Sequence, residues 1–139
     1  AGELDGRIHV LSGSGNDFTL DYAVSAVDSS VAQGTGEVLL SHLEVHGDRA
    51  YAAVRGRDTI AVLAVAAGAD DRLALVAEVP CGGRWPRHFA ITGTELYVAN
   101  QLSDTVSILP LDPATGIPGA PTAVIETGSP ACVVFDRVR

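Results

Sequence analysis

The chain has 139 residues, 47% of them hydrophobic and 19% charged, a balance that fits a folded domain and excludes a disordered polymer. Its net charge of −8, with nine arginines and no lysine, argues against a nucleic-acid partner, because gripping a phosphate backbone needs clustered positive charge. The longest apolar run, residues 60–69, is far shorter than the roughly 20 residues of a membrane-spanning helix, and no basic and apolar leader opens the chain, so a cytoplasmic protein with no membrane partner is expected.

Arg7-Ile8-His9-Val10-Leu11 alternates apolar and polar side chains, and the turn residues at 12–17 lead into a second such run at 18–24. This predicts a hairpin, the third and fourth strands of a unit whose first two lie outside the chain. After a small, polar loop at 28–36 come strand-like runs at 38–45, 50–54, 59–65 and 73–79, punctuated by Gly47-Asp48, Gly56-Arg57-Asp58 and Gly68-Ala69-Asp70-Asp71. The plan repeats at 88–91, 96–99, 105–109 and 123–126, with Asp112-Pro113-Ala114-Thr115-Gly116 as the third turn. Residues 132–135 are expected to begin or close another sheet. The alanine-rich stretch 61–69 has helical propensity, but its counterpart at 107–115 contains Pro110 and Pro113, which break helices, so strand followed by turn is predicted.

Residues 40–62 realign onto 86–108 at a constant offset of 46, with His, Gly, Tyr, Ala, Asp and Thr in register. A truncated third copy, Pro130-Ala131-Cys132-Val133-Val134-Phe135, lines up with Pro86 to Ile91 at an offset of 44, so His42, His88 and Cys132 hold one equivalent position. A period of this length, built of short strands and turns, marks the four-stranded blade of a β-propeller. The expected fold is all-β, a partial propeller of about two and a half blades, divided 1–36, 37–82, 83–128 and 129–139. Both ends stop inside a blade and the chain lacks Met, so a portion of a longer protein is expected, folding against its missing blades or against other copies of itself. Cys81 and Cys132 are too few for a disulfide framework and are expected as free thiols.

Trp85-Pro86-Arg87-His88-Phe89-Ala90-Ile91, Leu96 through Ile108 with its Tyr97-Val98-Ala99-Asn100, and Ser129 through Phe135 together resemble the C-terminal blades of the lactonase family. That family is a seven-bladed propeller that includes 6-phosphogluconolactonase and the carboxymuconate lactonizing enzyme. Arg55-Gly56-Arg57-Asp58-Thr59-Ile60 is similar to a family segment, while Val54 and His42 stand where members commonly carry Asn and Glu. The resemblance implies a lactonase with no required cofactor, acting on a small anionic sugar lactone held by Arg and His at one mouth of the channel.

The residues fit such chemistry. Lactone hydrolysis needs a base to activate water and a donor for the tetrahedral oxyanion. His88 or His42 is the candidate base, and Arg55 the candidate oxyanion stabiliser. Arg87, Asn100 and Gln101 are candidate substrate-binding residues, since a guanidinium fork grips phosphate or carboxylate and amides hydrogen-bond a sugar. Each also has a purely structural reading, as channel filling, a solvated turn or a turn cap. Cys132 reads as a small hydrophobe rather than a nucleophile, and the His42, His88, Cys132 set converges by symmetry without implying a metal. Trp85 and Tyr97 read as packing, Trp85 as a possible wall of the mouth. Two further functions remain open: a non-enzymatic propeller that presents a binding face, and a lactonizing isomerase acting on a carboxymuconate.

Overall fold

The computed structural model describes residues 1–30, 36–65 and 72–136. Ten strands form within them: β1 (Arg7–Ser14), β2 (Asp17–Ser25), β3 (Leu39–His46), β4 (Arg49–Arg55), β5 (Thr59–Ala64), β6 (Ala74–Pro80), β7 (Pro86–Thr92), β8 (Glu95–Asn100), β9 (Thr105–Pro110) and β10 (Ala123–Glu126). They assort into three antiparallel sheets, β1-β2, β3-β4-β5-β6 and β7-β8-β9-β10, with sequence neighbours as spatial neighbours. This is the meander of propeller blades, and the chain is all-β among the described residues apart from a single 3₁₀ turn at Gln101–Ser103.

The middle sheet explains the alanine-rich sequence. Successive side chains of a strand point to opposite faces, and here both faces are covered. Tyr51, Ala53, Ile60 and Val62 pack with Phe89, Leu96, Val98 and Leu109 of the following blade. Their alternates Ala50, Ala52, Val54, Ala61 and Leu63 pack with Ile8, Ala26 and Leu40 on the other side. Ala50 to Arg55 is therefore a continuous buried run with no polar alternation. Small side chains let the sheets stack closely, which is why a segment of helical propensity is strand at Thr59–Ala64. The turn expected at residues 68–71 lies outside the described residues.

Two expectations need correction. The first turn is tighter than residues 12–17: Ser14 pairs with Asp17 across Gly15-Asn16, and Ser12 and Gly13 belong to β1. A two-residue loop with Gly15 at φ 62 matches the natural twist of a hairpin, so pairing continues to the tip. The segment 132–135 forms no strand among the described residues. A strand needs a ladder partner, and what this segment meets instead is the side of the preceding blade: the Val133 amide approaches His88, and the Phe135 ring packs edge-on against Tyr97 at 4.9 Å.

Candidate functional site

β3 and β7, the first strands of their blades, pack against one another, and the Ser41 hydroxyl donates to the Pro86 carbonyl at 2.6 Å. Each carries a register shift at the same place, between Leu40 and Leu43 and between Pro86 and His88. A bulge re-aims the side chain it carries. Here it brings His42 and His88 face to face, their rings stacked at 4.0 Å and 30°. Phe89 closes the pair from beneath, edge-on to His42 at 4.8 Å.

Burial holds both imidazoles below the ordinary value of 6.5, and for His42 the neighbouring His88 adds to the effect, because two cations cannot share this space. Both are therefore neutral at pH 7. The Val133 amide donates to His88 Nδ1 at 3.4 Å, which assigns the proton of the neutral ring to Nε2. Glu44 lies two residues along β3 from His42, its carboxylate 4.0 Å from His42 Nε2. The sequence reading missed Glu44, although the two-residue period of a strand places it beside His42. Cys132, expected to meet the histidines, is an exposed free thiol, and its neighbour Val133 makes that contact. Cys81 is buried, its thiol pushed up to about 12 by desolvation, and is chemically inert.

The mouth above the histidines is built from turns that repeat from blade to blade. Each ends on a left-handed residue just before the third strand, Gly6 (φ 64), Asp58 (φ 58) or Asp104 (φ 56), and the turn of Asp58 holds a second one at Gly56 (φ 82). The carbonyl of each accepts a bond from the closing strand or the link after it, from the amides of Ala26, Cys81 and Thr127 respectively. Three residues before each stand Glu3, Arg55 and Gln101, one structural position with three chemistries. The sequence repeat does not reveal Glu3, because the offset from Glu3 to Arg55 is 52 rather than 46.

Arg55 is only 5% exposed. Its guanidinium donates to the Glu3 carboxylate and, at 3.3 Å, to the Leu40 carbonyl, while Nε is buried without a partner. The Trp85 ring lies 5.6 Å from Arg55 Cζ, a cation–π contact. The Arg55 hydrogen bond first, then the charges of Arg55 and Arg87, hold the Glu3 carboxyl below the usual carboxylate range. Arg87 is exposed and forms the outer lip of the mouth. Asn100 is fully buried, donating at 2.7 Å to Ser107 and packed so closely under Gly83 that a Cβ there would meet its side chain at 2.5 Å. Gln101 opens the 3₁₀ turn, and its amide donates to the Trp85 carbonyl at 3.1 Å. The structure thus gathers His42, His88 and Glu44 in the channel and Arg55 and Trp85 above them, and places Asn100 inside the blade. Among the described residues no group of three His, Cys, Asp or Glu is placed to hold a metal ion.

Stacked four-stranded antiparallel sheets with histidines on their innermost strands define a β-propeller carrying a polar channel mouth. Residues 1–135 match the family described as Lactonase, 7-bladed beta-propeller, and the chain belongs to that family. It is 31% identical over 137 residues to a 6-phosphogluconolactonase of Bacillus subtilis, a match that covers 97% of this chain and 35% of that protein. The chain thus spans about a third of the length of that curated relative. The periplasmic gluconolactonase of Pseudomonas aeruginosa superposes with a TM-score of 0.80 at 28% identity, over 93% of this chain and 36% of that one. A Lactobacillus plantarum protein at 23% identity shares the fold, with a TM-score of 0.81 over 95% of this chain and 39% of its own.

Proposed function

We propose that the propeller containing this chain hydrolyses a phosphorylated sugar lactone, with 6-phosphogluconolactone the first candidate. The observation that carries this reading is the stacked, neutral His42–His88 pair beneath an arginine-lined mouth. A neutral imidazole can take a proton from water, and a second imidazole with hydrogen on Nε2 can donate to the oxygen that becomes negative as the ring carbonyl turns tetrahedral. His42 is assigned the base and His88, with Nδ1 occupied by Val133, the donor. Arg55 is paired with the Glu3 carboxylate and donates to the Leu40 carbonyl, so it serves as a wall of the mouth, and the exposed Arg87 is the group assigned to a substrate phosphate.

Variation at equivalent positions supports a site over a scaffold. A binding face made by repetition reuses its mouth residues, whereas Glu3, Arg55 and Gln101 differ in charge and shape. The test is to compare kcat/KM of the intact protein for 6-phosphogluconolactone and for the same lactone without phosphate. A preference for the phosphorylated ring that falls about tenfold in Arg87→Ala is expected, the worth of one hydrogen bond to a charged group. Equal rates on both lactones, or none on either, would refute the assignment.

A further inference from the structure

We propose that Asp58 is a positioning residue for the mouth, resting on the reading of that mouth as an anion site: its carboxylate fixes Trp85 so that the indole covers Arg55. The Trp85 amide donates to Asp58 Oδ1 at 2.7 Å. Trp85 has φ 61, a left-handed conformation that a bulky residue adopts only when its surroundings impose it. Its carbonyl is held as firmly on the other side, accepting from the Gln101 amide at 3.1 Å. The peptide units around Trp85 are thereby clamped between the turn of one blade and the turn of the next. With the backbone so fixed, the ring reaches the guanidinium of Arg55.

The next blade repeats the device with a different outcome. The Ser129 amide donates to Asp104 Oδ1 at 2.8 Å, and Ser129 also has a positive φ, 44. Asp104 thus carries out the same backbone task without any aromatic ring to place. Gly6 occupies the equivalent turn position in the first unit with no carboxylate at all, at φ 64. Nature has therefore already built the variant that separates the turn from its acceptor.

Asp58→Gly keeps the left-handed turn at no steric cost and removes only the acceptor, while Asp58→Asn keeps an acceptor oxygen and tolerates the same backbone. Trp85 is the single tryptophan of the chain, so its fluorescence reports the clamp directly. In Asp58→Gly the emission should move to the red and iodide quenching should rise, and in Asp58→Asn both should stay near those of the unaltered chain. In the intact protein, Asp58→Gly should raise KM for the phosphorylated lactone about tenfold with kcat within about twofold, because a binding group has been displaced and the histidines have not. Asp104→Gly should leave the Trp85 emission unchanged.

The fluorescence requires no turnover, so it decides the clamp even if the lactone reading fails. Unchanged emission and quenching in Asp58→Gly, or equal changes in Asp58→Gly and Asp104→Gly, would overturn the proposal. So would a KM that does not move in a protein that hydrolyses the lactone.

Discussion

The two ends of the blade pair use the same kinds of residue in opposite ways. At the far end of the inner strands, the hairpin around Gly47 and the loop around Asp112 enclose a cavity of about 260 Å³. Three of its polar side chains are spent on the chain itself: Arg49 Nε donates to the Thr115 carbonyl at 2.9 Å, Tyr51 donates to the Gly116 carbonyl at 2.8 Å, and Asp112 caps its own turn. At the near end Arg87 is exposed and its side chain makes no hydrogen bond among the described residues, and the two neutral imidazoles of the inner strands lie beside it. A hollow is therefore a poorer guide to chemistry than an exposed charge beside two neutral imidazoles. In one region arginine is mortar between blades; in the other it faces a potential ligand.

The sharpest way to break this contrast is at the histidines. His42→Ala should lower kcat/KM about 100- to 10,000-fold, the range of a lost general base. His88→Ala should cost about 100- to 1,000-fold, as a lost oxyanion donor does. Steady-state kinetics on variants whose circular dichroism is unchanged would measure both, and rates within about threefold of the unaltered protein would remove the pair from the mechanism. At the opposite end, Tyr51→Phe should lower stability by about 1 kcal/mol in urea titration, the net worth of one hydrogen bond, with kcat/KM untouched. A kinetic effect there would erase the distinction between the two ends.

The smallest effect is in pH. Because His42 and His88 titrate below 6.5 when folded, the unfolded chain takes up protons first as pH falls. Their contribution to stability is complete above that value and shrinks below it, and the acid limb of kcat/KM should likewise lie under pH 6.5. Urea midpoints at about pH 7.5 and 5.5 should differ less in the His42→Ala, His88→Ala double variant than in the unaltered protein. An equal drop in both would assign the pH sensitivity elsewhere.

The architecture was legible because a constant offset carries geometry: two residues 46 apart in a propeller occupy the same place in adjacent sheets, so His42 and His88 had to be neighbours. The same logic placed Arg55 at the mouth, but not its commitments. That Glu3 would take up its guanidinium depends on a unit whose spacing departs from the repeat. Asn100 looked like a ligand contact from its place after a strand, and its burial under Gly83 follows from glycines whose packing no linear pattern displays. The strand expected at 132–135 does not form among the described residues, since β-structure is a property of pairs rather than of segments.

The division of the middle sheet between two cores has a consequence for how such arrays can change. Because odd and even residues of β4 and β5 serve different neighbours, sliding either strand by a single position would exchange both surfaces at once and ruin each. Evolution can lengthen the outer loops or copy a whole wedge, but it cannot insert one residue in these strands without penalty. The fold is thus quantised: it grows by duplication, and its variety accumulates at the rim.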